Sequence, residues 1–318
     1  MIPIDAIRRA ADVIASEAIR TPIVRSDELD ALLGATVLGK DESRQRAGSF
    51  KFRGAFHRLS TIPARDRHLG VVAVSSGNHG AAVACAAQIL GIEATVHVPA
   101  DVAAAKRALI EQFGARIVTF DRATPDREAA ARQQVADTGA TFVHPFEDPL
   151  VMCGQGTAAL ELNEQVGPLD VLVVPMSGGG LMAGCASAMR QLDPRCELVG
   201  VEPATADDTR RSFDAGHPVG IPQPDTIADG LAVTRPGEGT FAINHELVSA
   251  VVTVTDDELV AAMRLGDALL DRRYEPSGVA GLAAVMVHPD RFAGRRVGVV
   301  LTGGNIDAAR FAELTSVT

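Results

Sequence analysis

The sequence predicts an α/β protein built on parallel sheets, and three observations carry that reading. From Val71 onward, short apolar runs alternate with helical segments, the pattern of repeated βαβ units. Two glycine-rich turns, Ser75-Ser76-Gly77-Asn78-His79-Gly80 and Ser177-Gly178-Gly179-Gly180, each lie between an apolar strand and a helix start. The composition is 47% hydrophobic and only 4% aromatic, with 30 glycines and no Trp among 318 residues. That profile suits helices packed closely on a sheet.

Taken in order, Ile4 to Ile19 carries apolar residues at helical spacing and ends before Thr21-Pro22. Thr36 to Leu38 reads as a strand. Gly48-Ser49-Phe50-Lys51-Phe52-Arg53-Gly54-Ala55 opens a helix reaching Leu59, and Pro63 to His68 is a polar connector. Strands are expected at Val71–Val74, Ala94–Val98, Arg116–Phe120 and Thr141–Val143. The helices between them are Asn78–Leu90, Ala103–Phe113 and Asp126–Asp137, with Gly91 and Gly114 as C-terminal stops. Met152–Val166 is a helix, Asp170–Val174 a strand, Leu181–Leu192 a helix and Glu197–Val201 a strand. Residues 203–245, rich in Pro, Gly and Asp, read as long loops. Asp256–Asp271, capped by Asp256, and Gly278–Val287 are helices, and Arg272-Arg273 looks like a helix C-terminus. Arg296–Leu301 is the last strand, and Thr302-Gly303-Gly304-Asn305 turns into a final helix. Two units are expected, a large one of residues 1–69 plus 147–318 and a small, mobile one of residues 70–146.

Charge and targeting narrow the function. The net charge is −10 and the pI about 5.3, so no basic surface exists to hold a phosphate backbone. Nucleic acid and acidic membranes are excluded as partners. No stretch has the length and apolarity of a membrane span, and Met1-Ile2-Pro3-Ile4-Asp5 lacks a signal core, which points to a cytoplasmic protein. Cys85, Cys153, Cys185 and Cys196 are scattered and read as reduced packing thiols. The 8 histidines show no zinc-site spacing.

Five stretches carry chemistry. Lys51 lies between two phenylalanines, a setting that suits a desolvated amine of lowered pKa, able to form a Schiff base. Both glycine-rich turns place backbone amides at a helix N-terminus, where they form an anion nest. The second turn also resembles a dinucleotide fingerprint, with Glu202 following, but the spacing from Gly180 to Gly184 is one residue too long. Thr302 sits at the carboxyl end of the last strand, where open α/β sheets meet ligands. Glu202 and Asp208, with a backbone carbonyl at Ala206 between them, offer oxygens for a hard cation.

Together these stretches resemble the fold-type II pyridoxal-phosphate enzymes (tryptophan synthase β-like), in particular the threonine/serine dehydratase and serine racemase group. The match runs nearly end to end. It adds Gly154-Gln155-Gly156-Thr157 with Glu161, Glu202-Pro203, Thr226-Ile227-Ala228-Asp229-Gly230 and Glu275-Pro276-Ser277-Gly278 to the motifs above. The resemblance implies two three-layer α/β/α domains with the active site in the cleft between them. It implies that Lys51 holds the cofactor covalently and then removes the Cα proton, with Phe50 packed near the ring. Asn78 would bond the 3′-oxygen, and Ser177, Gly178, Gly179, Gly180 and Leu181 the phosphate. Thr302 would face the pyridine nitrogen, where a hydroxyl is a weaker partner than a carboxylate. The substrate carboxylate would lie on Ser75, Ser76, Gly77, Asn78 and His79, and Ser76 could return a proton to the opposite face. Glu202, Ala206 and Asp208 match a Mg²⁺ or Ca²⁺ site.

The activity so implied is an ammonia-lyase converting L-threonine or L-serine to a 2-oxo acid and ammonia. It would work as a homodimer on small amino acids, without a regulatory domain. The alternatives are an amino-acid racemase, a dehydratase of another 3-hydroxy amino acid such as 3-hydroxyaspartate, and more remotely a non-enzymatic binder of the cofactor or of amino acids. Two departures stand out. Ser177 replaces the first of four glycines in the phosphate loop, and Phe146 stands after His144-Pro145 where many relatives carry a polar residue, hinting at a changed pocket.

Overall fold

The computed structural model describes residues 1–75, 77–102, 104–121, 126 and 128–316. Its strands, in chain order, are β1 (Ile23–Val24), β2 (Thr36–Asp41), β3 (Val71–Val74), β4 (Ala94–Pro99), β5 (Arg116–Phe120), β6 (Thr141–Phe142), β7 (Val171–Pro175), β8 (Glu197–Pro203), β9 (Ala250–Val254) and β10 (Arg296–Leu301). They form a six-stranded sheet in the order β1-β2-β10-β7-β8-β9 and a four-stranded sheet in the order β5-β4-β3-β6. Every pairing is parallel except the short edge pair β1–β2.

The parallel sheets follow from the sequence. Val171, Leu172, Val173 and Val174 are buried on both faces, as a central parallel strand requires. One face of the six-stranded sheet packs against Ile7, Leu162, Met182 and Leu247 from four helices, and the other against Leu29, Met263, Leu282 and Phe311. The four-stranded sheet is likewise covered on both sides, by Val83 and Ile110 on one and Ala131 on the other. Both sheets are therefore the middle layer of an α/β/α sandwich.

Several boundaries differ from the expectation, each for a reason. The first helix stops at Ile14 instead of Ile19. The helix expected from Met152 begins at Pro149, because Asp148 caps it by accepting from the Leu150 amide at 2.8 Å. The cap of the helix Asp256–Leu270 is Thr255, not Asp256. Thr255 and Glu258 form a reciprocal capping box, while Asp256 accepts from the Thr226 hydroxyl at 2.6 Å and the Ile227 amide at 3.0 Å. That helix ends at Leu270, and Asp271 adopts a left-handed conformation, so Arg272 and Arg273 lie just beyond it.

The largest miss is 203–245, which holds the helices Asp208–Ala215 and Glu238–Leu247. The first is started by a remote residue, since the Glu202 carboxylate accepts from the amides of Thr209 and Arg210 at 3.1 and 2.9 Å. The second buries Thr240 and Asn244 beside Phe241 and Leu247. Polar residues on its inner face hide the apolar periodicity. The helix Asp27–Leu33, capped by Ser26, and strands β1 and β9 were also not anticipated.

Candidate active site

The Lys51 segment is stitched to the turn after β10. Ser49 bridges Gly303, the Phe50 amide donates to the Thr302 carbonyl at 3.1 Å, and the Gly304 amide donates to the Gly48 carbonyl at 3.0 Å. The helix Lys51–Ser60 then crosses the helix Pro149–Val166 at Gly154, where an added Cβ would lie 2.6 Å from the Arg53 carbonyl oxygen. Two glycines of the Gly154-Gln155-Gly156-Thr157 motif thus allow close helix contact. Arg53, two residues past Lys51, is clamped by Glu42 and Glu161 at 2.7 Å each. The lysine stands on an anchored backbone.

Lys51 itself is only lightly held. Its Nζ donates to the Pro145 carbonyl at 3.0 Å and lies 5.1 Å from the Phe50 ring centroid. Burial pushes its pKa down to about 8. An amine near neutrality is a competent nucleophile and base, as the sequence setting suggested. His79 beside it is buried, and burial together with the Lys51 charge pushes its pKa down to about 3, so the imidazole is neutral. Its Nε2 meets the Val143 carbonyl at 2.8 Å.

The second glycine turn opens the helix Gly180–Leu192, with Gly179 at φ 91°. Its carbonyls are tied backward, Gly178 O accepting from the Thr240 hydroxyl at 2.5 Å and Gly179 O from Asn244 Nδ2 at 3.1 Å. Among the described residues, no backbone acceptor is taken by the amides of Ser177, Gly178, Gly179, Gly180 and Leu181. Free amides at a helix N-terminus are an anion cradle. Phe146 packs flat on this loop, and a Cβ at Gly178 would sit 2.3 Å from its ring. The departure at Phe146 is thus a wall of the cradle. Thr240, Asn244 and Glu147, which accepts from the Thr240 amide at 3.1 Å, were missed by sequence reasoning. Their role is to aim a backbone in another segment, which leaves no local signal.

Asn78, Thr302 and Lys51 line one cavity with the glycine loop, Ser75, Gly77 and His79. Asn78 Oδ1 accepts from Asn305 at 2.7 Å, and its Nδ2 donates to Glu275 at 2.6 Å, leaving a second N–H. Burial pushes the Glu275 carboxyl up to about 7, against the pull of the Asn78 bond. Thr302 Oγ1 donates to the Ser277 carbonyl at 3.3 Å. The Ser75 amide donates to the His97 carbonyl at 3.0 Å, and the Gly77 amide to Ser75 Oγ at 3.2 Å. The amides of Asn78 and His79 take no such acceptor among the described residues. Ser76 lies outside the described residues.

Glu202, Ala206 and Asp208 come together away from this cavity. Both Asp208 oxygens are buried without a hydrogen-bond partner. Burial, and then the Asp208 charge, push Glu202 up to about 8, and burial pushes Asp208 up to about 7. Among the described residues, no group of three or more His, Cys, Asp or Glu side chains converges as a metal cage.

The donor set fits a phosphorylated, aldehyde-bearing cofactor: a phosphate cradle, a lightly held amine, an apolar face at Phe50 and a hydroxyl opposite. Comparison with known proteins agrees. The chain is 46% identical over 306 residues to an L-threo-3-hydroxyaspartate ammonia-lyase of Pseudomonas sp, covering 96% of both. It superposes on maize serine racemase with a TM-score of 0.93 at 36% identity, covering 98% of this chain and 96% of that one. It superposes on a T.th. threonine deaminase with a TM-score of 0.91 at 40% identity, covering 96% of this chain and 99% of that one. The profile of the family described as "Pyridoxal-phosphate dependent enzyme" spans residues 14–303, so the cradle, the lysine and the hydroxyl found here place the chain in that family, with the fold-type II architecture of its structural neighbours.

Proposed function

We propose that the protein is an ammonia-lyase for 3-hydroxy amino acids, with L-threo-3-hydroxyaspartate as its preferred substrate over L-threonine. The observation that carries this reading is the 46% identity, over 96% of both chains, to an enzyme named for that substrate. Lys106, which lines the same cavity as Lys51, supports it, because Lys51 is taken by the cofactor and the chemistry while Lys106 is not.

In this reading Lys51 would hold the cofactor, the amides of Ser177 to Leu181 its phosphate and Asn78 its ring oxygen, with Thr302 on the side of its ring nitrogen. When bound, pyridoxal phosphate supplies an electron sink for the charge left at Cα. The free amides of Asn78 and His79 take the substrate α-carboxylate, aided by the helix dipole. Lys51 Nζ, freed when the substrate amine displaces it, would take the Cα proton. Phe50 and Phe146 keep water from one side of the site. The β-hydroxyl would leave with a proton as water, and addition of water to the resulting imine would give a 2-oxo acid and ammonia. Residues 70–146 would close over the bound substrate.

A second reading, racemisation, shares the first step and is favoured by the likeness to maize serine racemase. It needs an acid on the face opposite Lys51, the role proposed for Ser76. Glu202, the Ala206 carbonyl and Asp208 are proposed to hold Mg²⁺ or Ca²⁺. The two partnerless Asp208 oxygens support that reading, because a buried carboxylate without donors needs a cation or a proton.

A substrate panel tests the assignment. Holoenzyme is incubated with L-threo-3-hydroxyaspartate, L-threonine, L-serine and D-serine, and 2-oxo acid and enantiomer ratio are measured. The expected result is fastest 2-oxo acid release from 3-hydroxyaspartate, with Lys51→Ala slower by at least about 10³-fold. Inversion outpacing 2-oxo acid release would favour the racemase reading, and turnover by Lys51→Ala at the wild-type rate would overturn both.

A further inference from the structure

We propose that Lys106 reads the distal carboxylate of the substrate, exchanging its present partner Asp229 for it. The inference rests on the 3-hydroxyaspartate reading above. Lys106 lies on the helix Ala104–Gln112, which follows β4 of the four-stranded sheet. Asp229 begins the turn Asp229–Leu231, between the helices that follow β8 of the six-stranded sheet. The two side chains meet as an ion pair, and both line the cavity.

The charge balance of the cavity makes the assignment. Among the described residues, its cationic lining residues are Lys51 and Lys106, and its anionic ones Asp229 and Glu275. Lys51 is committed to the reaction, and Glu275 is tied to Asn78. A 3-hydroxyaspartate brings two carboxylates. The amides of Asn78 and His79 accommodate one, and the other needs a cation. Among the described lining residues, Lys106 is the remaining cation.

The pair is built to exchange. The Lys106 side chain is 32% exposed and that of Asp229 54%. An ion pair this exposed is held weakly, and Asp229 returns to water at little cost when a substrate carboxylate replaces it. A monocarboxylic substrate offers nothing to replace it with and leaves the pair as it is. The arrangement therefore discriminates by charge, and the small side of the cleft is drawn onto the substrate only when both carboxylates are present.

The test compares wild-type holoenzyme with Lys106→Gln, Lys106→Arg and Asp229→Asn, each first checked for native circular dichroism and bound-cofactor absorbance. The expected result is that Lys106→Gln lowers the ratio of kcat/KM for L-threo-3-hydroxyaspartate to that for L-serine by about 30-fold, mostly through KM, the scale of a lost charge-assisted contact. Lys106→Arg is expected to recover most of that ratio, and Asp229→Asn to raise affinity for the dicarboxylate severalfold. A binding arm separates the inference from the reading it rests on. L-aspartate and L-alanine are titrated into holoenzyme and followed by the change in cofactor absorbance. Wild type should prefer L-aspartate by about tenfold, and Lys106→Gln should lose the preference. If wild type binds L-aspartate through Lys106 yet does not turn over 3-hydroxyaspartate, the substrate reading fails and the recognition stands. A Lys106→Gln variant that loses both substrates in parallel, or keeps its preference for L-aspartate, overturns the inference.

Discussion

Around Arg53, three buried charged side chains (Lys40, Glu42 and Arg53) and the partly buried Glu161 meet, and every one is paired. Arg53 bonds Glu42 and Glu161, and Lys40 bonds Glu161 at 2.7 Å, the Thr21 carbonyl at 2.7 Å and Gln165 at 2.8 Å. At the end of β8, Glu202 and Asp208 are buried as well, but no ion pair reaches either among the described residues, and both Asp208 oxygens lack a donor. The first cluster is complete within the chain and holds the Lys51 helix. The second is incomplete, and the same holds for the free amides of the glycine loop. Buried polar groups that the chain satisfies are scaffold, and a buried carboxyl that it leaves unsatisfied needs either a cation or a proton.

The largest expected effect breaks the completed cluster. Arg53→Met leaves Glu42 buried without a cation and Glu161 with Lys40 alone, so stability should fall by about 3–5 kcal/mol, read from urea unfolding. Pairing it with Glu42→Gln should recover part of the loss. A variant as stable as wild type would remove the contrast. Next, filling the incomplete cluster should stabilise the protein. Mg²⁺ at about 100 times its Kd is expected to add about 2.7 kcal/mol, visible as a rise in Tm that EDTA reverses. Asp208→Ala should abolish that rise, and a Tm indifferent to Mg²⁺, Ca²⁺ and EDTA would show that the two acids are held as protonated groups instead.

The smallest effect concerns Lys51 in the cofactor-free protein. Its labelling by an amine-selective reagent, followed by peptide mass spectrometry, should have a midpoint near pH 8, against about 10.4 for a solvated lysine. The sign follows from burial favouring the neutral amine. Between about pH 8 and 10.4 the unfolded chain holds a proton that the folded chain does not, so this group's contribution to stability rises with pH across that window. A midpoint above pH 10 would show that the site does not desolvate the amine.

Much of the site was legible because its chemistry is carried by local motifs. Lys51 between phenylalanines, the turn at Ser177 to Gly180, Asn78 at a helix start and Thr302 after a strand all line one cavity. The threonine/serine preference drawn from the resemblance was finer than the comparisons warrant, which support a 3-hydroxy amino acid lyase or racemase and not threonine dehydration in particular. Thr240 and Asn244 were illegible because residues 203–245 read as loop and their bonds run to a loop more than sixty positions away. Lys106 and Asp229 share that problem, since their pairing spans the two sheets.

By itself the sequence determined the alternation of strand and helix, the parallel pairing that such alternation forces, and the residues able to do the chemistry. These are local properties: backbone torsions, periodicity and the identity of a side chain. Only the tertiary structure decided which of those residues meet, which carbonyls are pulled away so that amides face the cavity, and which buried charges find partners. Those outcomes depend on contacts between segments far apart in the chain, where desolvation and hydrogen-bond geometry are set by packing and not by neighbours in sequence.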